Sequence, residues 1–212
     1  MKEKYIIPQT SKYDPLNHFY YTQVFAVLTS LFSKFIFEVV FIGLRISCVQ
    51  EAGSMTGMAV ALREAEKALA EGEVPVGAAL MRGQELLWAD HNRREQLHDP
   101  TAHAEMLCLR HGAEKAGNWR LADCTLYVTL EPCPMCAGAL VMSRVGKVVY
   151  GASDPEKGCC GSVYDFPGDP ALSAGTRWQA GECASACGQL LSSFFRATRE
   201  TRAGVPAGKE TE

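Results

Sequence analysis

Three observations predict an α/β fold with helices on both faces of one sheet. Four segments carry apolar residues at helical spacing, and four short apolar or β-branched runs are interleaved with them. Glycine or proline stands at most of the junctions. Helices and strands that take turns along a chain argue for a layered sandwich around a single sheet.

The elements are justified in chain order. Residues 58–71 (MAVALREAEKALAE) set alanine, leucine and valine against arginine, glutamate and lysine at helical spacing, and Gly72 stops the helix. Residues 76–81 form a short apolar strand, Arg82-Gly83-Gln84 a tight turn, and residues 85–90 a second strand. The charged loop 92–100 ends in Pro100 and leads into a helix over residues 101–115. Residues 125–130 (TLYVTL) alternate and are β-branched, which makes a third strand. A helix over 134–143 and a fourth strand over 147–151 follow. The Gly/Pro-rich stretch 158–175 reads as loop. Residues 181–199 close the domain as an amphipathic helix that buries Leu190, Leu191, Phe194 and Phe195.

The chain of 212 residues suits one domain of ordinary size plus a tail. Its 47% hydrophobic and 21% charged residues are those of a soluble globular protein with a real core. A net charge of −3, with a pI ≈ 6.0, gives no overall attraction to nucleic acid, though a local basic surface fits within an acidic whole. The nine cysteines, at 48, 108, 124, 133, 136, 159, 160, 183 and 187, lack the even spacing of a small secreted disulfide framework. With two reserved for a metal, the rest read as buried or half-buried free thiols, which predicts a reducing, cytoplasmic setting. Cys183 and Cys187 stand four apart on a predicted helix and read as sharing its buried face.

Composition changes near residue 54. Residues 19–49 are aromatic and apolar, but Lys34 and Glu38 interrupt them. The pieces left are shorter than the roughly 20 apolar residues of a membrane span, so no membrane partner is expected. A cleaved leader fits poorly, since the run starts late and has no small-x-small site. A poor signal-anchor, an accessory segment and translated upstream sequence remain. The last is favoured, because no methionine lies between Met1 and Met55 and everything domain-like starts at Met55 or Met58. Residues 1–54 are therefore expected to be non-catalytic, with a catalytic domain over 55–200 and a flexible tail over 201–212.

The chemistry is concentrated in a split motif, Thr101-Ala102-His103-Ala104-Glu105 and Glu131-Pro132-Cys133-Pro134-Met135-Cys136. Alone, Cys-x-x-Cys suits a redox pair or half of a structural zinc site, and a single histidine suits a helix cap. Together they offer one imidazole and two thiolates, a donor set that favours Zn²⁺ and leaves the fourth tetrahedral position open. Cys133 and Cys136 are i,i+3, so a helical first turn aims both sulfurs one way. The positive end of the helix favours thiolate there. Zinc-activated water needs a proton acceptor, and Glu105 is the candidate shuttle. Glu105 is only two residues from His103, so that role requires an irregular helix start; otherwise Glu105 is a solvated first-turn residue. His-x-Glu followed by Pro-Cys-x-x-Cys is the signature of zinc-dependent nucleobase deaminases.

The resemblance extends beyond the metal motif. Glu73-Val74-Pro75-Val76-Gly77-Ala78, Asn92-Arg93, His98-Asp99-Pro100-Thr101, Leu126-Tyr127-Val128, Cys136-Ala137-Gly138-Ala139 and Leu191-Ser192-Ser193-Phe194-Phe195-Arg196 all resemble segments of the bacterial tRNA-specific adenosine deaminases. The likeness covers about Met58 to Arg199. It implies a three-layer αβα sandwich with a mixed five-stranded, cytidine-deaminase-like sheet, commonly in a homodimer. It also implies hydrolysis of the wobble adenosine of a tRNA anticodon stem-loop to inosine in the cytoplasm. His103, Cys133 and Cys136 would hold one Zn²⁺ per subunit, with Glu105 as the catalytic proton shuttle. By the same resemblance Asn92 hydrogen-bonds the flipped base, Val76 lines its pocket, and Asp154 lies near the neighbouring ribose. Turn chemistry is the alternative for Asn92 and for Asp154, which precedes Pro155.

Basic residues that would meet phosphates are Arg93, Arg94, Arg144, Lys157, Arg196, Arg199 and Arg202. Arg94 stands where the family often shows a small residue or proline, and residues 166–178 also depart from it. Two rival functions remain: a deaminase of free bases or nucleosides, and a structural module whose zinc is closed by Cys108, Cys159 or Cys160.

Overall fold

The computed structural model describes residues 56–172 and 175–203. The expectations for residues 1–54 lie outside the described residues, as do residues 204–212 of the expected tail. Strand β1 (Gly77–Arg82) pairs antiparallel with both β2 (Glu85–His91) and β3 (Cys124–Leu130). Strands β4 (Lys147–Ala152) and β5 (Arg177–Gln179) then add in parallel, giving the mixed order β2-β1-β3-β4-β5. Helices α1 (Gly57–Ala70) and α5 (Ala184–Ala203) touch each other on one face of the sheet. On the other face α3 (Ala104–Ala116) packs beside α4 (Pro134–Met142), and the four-residue α2 (Arg94–Leu97) precedes α3. This is the three-layer sandwich with a five-stranded mixed sheet that the sequence and its resemblance lead one to expect. Among the described residues, no helix is long and apolar enough to cross a membrane.

Burial follows from the layers. β1 is covered on both faces and is buried from Gly77 to Met81, so it reads as a continuous apolar run rather than as alternation. Its contact with α1 is unusually close. A Cβ at Gly77 would stand 2.1 Å from the Ala61 carbonyl oxygen and 2.4 Å from the Ala65 nitrogen. The Gly77 N–H donates to Thr129 Oγ1 on β3 (3.1 Å), which fixes the start of β1 against the end of β3. Leu80, Leu126, Val128, Leu140, Val145 and Val148 form the centre of the core.

A buried ionic cluster ties α1 to the end of β2. His91 is 1% exposed, and its ring bridges Glu64 (Nδ1 to Oε2, 2.8 Å) and Glu71 (Nε2 to Oε2, 3.1 Å). Lys67 pairs with Glu64 at 2.7 Å, and Arg93 Nε donates to Asp90 Oδ1 at 2.9 Å. Glu64, Asp90 and His91 lie close enough together to hold an ion, but each already has a partner of complementary charge or polarity. The cluster is an ion-pair network, and its place is next to Asn92.

Five details differ from the sequence expectations, the first being Phe195, which α5 leaves 47% exposed rather than buried. β5 is three exposed residues and carries neither alternation nor an apolar run, so nothing in Arg177-Trp178-Gln179 announces a strand. α2 buries no residue and has no periodicity to read. α5 starts at Ala184 because Gly181 (φ 89°) and Cys183 (φ 55°) adopt left-handed backbone just before it, and it continues to Ala203. Cys183 is consequently not the helical partner of Cys187, and it is disulfide-bonded rather than a free thiol. Cys108, Cys124, Cys133, Cys136, Cys159, Cys160 and Cys187 are free.

Candidate active site

Two helix starts meet where β3 ends. α3 begins at Ala104, so His103 is its N-cap residue, with extended backbone (φ −78°, ψ 153°) rather than helical. Cys133 caps α4 in the same way (φ −71°, ψ 174°), followed by Pro134, whose missing N–H costs nothing at a first helical position. Cys136 lies one turn in and is fully buried. The His103 side chain makes no capping bond to its helix, and the imidazole and the Cys133 thiol turn toward each other. The extended backbone at His103 also removes the difficulty of the two-residue spacing. His103 and Glu105 are not successive positions of one regular helix.

His103 Nδ1 stands 3.7 Å from Cys133 Sγ and 3.5 Å from Cys136 Sγ. Around a tetrahedral ion with about 2.3 Å to sulfur and about 2.0–2.1 Å to nitrogen, such atoms lie about 3.5–3.6 Å apart. The imidazole nitrogen therefore stands from each sulfur at about the spacing of two corners of a zinc tetrahedron, and all three ligand atoms lie within 4.8 Å of one another. Among the described residues this group comprises three side chains. Cys108 Sγ donates to the Ala78 carbonyl at 3.3 Å, and Cys159 Sγ to the Lys157 carbonyl at 3.4 Å. Those two thiols are engaged elsewhere, and Cys160 is not among the grouped donors, so the described residues supply three candidate ligands.

The local electrostatics suit a metal and a proton carrier. The Cys133 thiol is lowered to about 4, first by its hydrogen bond with Cys136 and further by His103, against the effect of burial. Its partner is pushed the other way: Cys136 rises because of the same Cys133 bond, and burial adds to it. His103 is raised, chiefly by its contact with Cys133. Glu105 is 3% exposed and is raised because burial disfavours its charged form, with its carboxyl against Cys136. A buried carboxyl whose pKa is held above its usual range, beside a His/Cys/Cys group, is the arrangement expected of a group that gains and loses a proton during turnover.

Comparison with known proteins agrees with this geometry. The pattern of the cytidine and deoxycytidylate deaminase zinc-binding region matches residues 54–152. The tRNA-specific adenosine deaminase of Bacillus subtilis (strain 168) is 46% identical over 145 residues, which is 68% of this chain and 90% of that protein. The chain belongs to the tRNA-specific adenosine deaminase family. A second family member, from Aquifex aeolicus (strain VF5), is 44% identical over 140 residues, 66% of this chain and 92% of its own. A structure from a study of A-to-I editing by tRNA:A34 deaminases at the wobble position superposes with a TM-score of 0.61 at 38% identity. It covers 64% of this chain and 98% of that one. A guanine deaminase from Nitrosomonas europaea shares the fold at 23% identity and a TM-score of 0.59, over 70% of this chain and 90% of its own.

The family's remaining candidate positions fall into two groups. Asn92 is buried, and its Oδ1 accepts the Ala104 N–H at 3.0 Å, directly beside His103. The Asn92 N–H donates to the Val76 carbonyl at 3.1 Å, which places Val76 against it. Asn92 is thus brought beside His103, and Val76 is joined to Asn92 through the backbone. Asp154 is not joined to the His/Cys/Cys group directly. It stands on the loop after β4, where its Oδ1 accepts the N–H groups of Glu156 (2.9 Å) and Lys157 (3.1 Å), so part of its role is turn chemistry. That loop forms one wall of a groove of 880 Å³ whose other wall is α5, with Phe194 and Phe195 packed edge to face at 5.4 Å. Arg94, Lys157 and Arg199 reach the groove, whereas Arg93 is held by Asp90 and Gln96. Arg144 stacks 5.8 Å from the exposed Trp119 ring, Arg196 is exposed, and the Arg202 side chain lies outside the described residues.

One functional candidate goes unassigned in the sequence reading: Glu131, quoted within the motif but given no role. It is 2% exposed and accepts from the backbone of Asp154, Cys160 and Ser162. The available signal is a carboxylate at the end of an apolar strand, one residue before the Pro-Cys step.

Proposed function

We propose that the protein is a zinc-dependent hydrolase that converts the wobble adenosine of a tRNA anticodon stem-loop to inosine. The observation that carries this is the His103–Cys133–Cys136 group with the buried Glu105 beside it; a groove along the loop after β4, walled by an aromatic pair, is lined by Arg94, Lys157 and Arg199 together with Glu73, Glu95, Asp154 and Glu156. Zinc held by the three donors supplies a Lewis acid that makes a nucleophile of water near neutral pH. Glu105 would take a proton from the attacking water and deliver it to N1 of the adenine ring, then take the second proton from the new C6 hydroxyl and pass it to the amino group, which leaves as ammonia as the C6 carbonyl forms. Asn92 has its Oδ1 fixed by the Ala104 N–H, so its Nδ2 is the end that faces the base and donates to an acceptor there. Val76 closes the pocket with an apolar wall.

An anticodon loop suits such a site because its bases are unpaired and can be splayed one at a time. The target base leaves the stack, its neighbours pack on aromatic faces, and cations at the rim meet phosphates. The family resemblance further supports a homodimer with one zinc per subunit, acting where tRNA is, in the cytoplasm. Light scattering on the full chain is expected to give twice the mass of 23.1 kDa; a monomer overturns the dimer.

The deciding assay is inosine formation in an anticodon stem-loop with adenosine at the wobble position. Turnover by the zinc-loaded chain is expected. Activity on free guanine, cytosine or nucleosides alone would overturn the tRNA reading in favour of a small-molecule deaminase. Asn92 gives a finer test. Asn92→Asp keeps the acceptor for Ala104 but removes the Nδ2 donor, so the variant is expected to melt near the parent while kcat/KM falls about 10- to 100-fold. Asn92→Ala strands the buried Ala104 N–H and is expected to lose about 1–3 kcal/mol of stability in urea unfolding as well. Full activity of Asn92→Asp would remove Asn92 from base recognition.

A further inference from the structure

Resting on the function proposed above, we propose that Glu131 is a positioning residue: its carboxylate sets the RNA-facing wall of the groove in register with the zinc ligand Cys133. Two segments that are distant in sequence meet on this one side chain. Oε2 accepts the Asp154 N–H at 3.0 Å and the Ser162 hydroxyl, while Oε1 accepts the N–H groups of Cys160 and Ser162, each at 3.0 Å. The main chain of the ligand-bearing turn joins in. The Glu131 N–H donates to the Ala152 carbonyl (2.8 Å), and the Pro132 carbonyl accepts the Cys159 N–H (2.9 Å). The loop from Asp154 to Ser162 is thereby wrapped around Glu131 and Pro132, immediately before Cys133.

The wrapping is tight. A Cβ at Gly158 would stand 2.4 Å from both Cδ and Oε2 of Glu131, so the loop follows this path only with glycine there. The outward side of the same loop carries Asp154 and Lys157 into the groove opposite Phe194 and Phe195. Asp154 Oδ1 holds the N–H groups of Glu156 and Lys157, so a shift at the Asp154 amide moves Lys157 with it.

The side chain has to be a carboxylate for a simple reason. Four donors converge on two oxygens, and both oxygens must accept. Glutamine in the same place keeps one acceptor for Cys160 and Ser162, but presents an N–H₂ to the Asp154 N–H. Glu131→Gln is therefore a selective cut: it releases the groove side of the loop and spares the other.

The test uses the full, zinc-loaded chain. Glu131→Gln is expected to retain one zinc per chain, to raise KM for the stem-loop about tenfold, and to leave kcat within about threefold. Hydrogen exchange is expected to speed up at Asp154 and through the following turn, with Cys160 and Ser162 unchanged. Gly158→Ala pushes on the same contact from the loop side and is expected to raise KM in the same direction with zinc retained. Parental KM with unchanged exchange at Asp154 in Glu131→Gln overturns the proposal. So does loss of zinc in step with activity, which would make Glu131 a support of the metal centre alone. Failure of the parent itself on the stem-loop would instead overturn the function, and the exchange pattern would still decide whether the tether exists.

Discussion

Glu105→Gln is expected to abolish useful turnover while the protein keeps its zinc and gains stability. The loss should be about 10²- to 10⁴-fold in kcat, the range by which a positioned proton carrier accelerates such a step. Glutamine has the same shape and can neither take the proton from water nor give it to the ring. The stability gain follows from the sign of the Glu105 shift. Burial raises its folded pKa above the ordinary 4.5, so its contribution is fully present below pH about 4.5 and is lost as pH rises through the folded value. At pH 8 the unfolded chain carries this carboxyl ionised and burial disfavours that form, so Glu105 works against the metal-free fold and glutamine removes that opposition. In chelator, the variant should melt above the parent at pH 8, with the gap closing toward pH 5. A variant that keeps more than about a tenth of the parental kcat would end the assignment of Glu105 as the shuttle. One that melts lower at pH 8 would end the account of its burial.

Removing the metal is expected to have the second-largest effect, and it separates the ligands from Glu105. With free zinc about 1,000-fold above its dissociation constant, binding stabilises the fold by about 4 kcal/mol. In a domain of this size each kcal/mol moves the midpoint by about 2–4 °C. Chelation should therefore lower the melting temperature by about 10 °C and abolish deamination, and zinc should restore both. His103→Ala should behave like the chelated parent even in excess zinc. The protonation states give a sharper check. Cys133 is already a thiolate at neutral pH, since it is lowered to about 4, whereas the raised Cys136 thiol and part of the raised His103 population must lose protons. Calorimetry at pH 7 in buffers of different ionisation enthalpy should report about one to two protons released per zinc. Release near zero, or unchanged melting after chelation, would contradict the site described here. For Cys133 itself the lowered value means that its contribution to the metal-free fold is present above pH 9.0, its ordinary value, and is lost as pH falls toward about 4.

The parts of this protein legible in its sequence are those where chemistry leaves few choices. Imidazole and thiolates at His103, Cys133 and Cys136 are a donor set that few other roles demand, and they stand at helix starts that Pro134 and the apolar periodicity already mark. The four long strands and four long helices declare themselves because each buries a face. β5 stays hidden because its position comes from parallel pairing with residues 147–149 rather than from its own side chains. The conformation of His103 is hidden for a related reason. Spacing alone puts it on the helix with Glu105, and only the folded backbone shows it one residue outside. Glu131 illustrates a third kind of limit. A carboxylate in an apolar strand end is visible, but its four donors come from a loop more than 20 residues later, whose path depends on Gly158. Asp154 is legible as a turn residue, and the same carboxylate also stands on the groove wall.

The donor set has a consequence for how a polyanion is handled at the doorway. A dication held by two thiolates and a neutral imidazole sums to no charge, and the positive ends of two helices are already faced by the sulfurs and the imidazole at their starts. Glu105 adds either nothing or one negative charge. A centre balanced in that way would exert no net pull on phosphate and would favour an uncharged aromatic ring, and along the groove the cations Arg94, Arg199 and Lys157 are set among the carboxylates of Glu73, Glu95, Asp154 and Glu156. On that charge balance the metal centre would admit the nucleobase in preference to the sugar–phosphate chain.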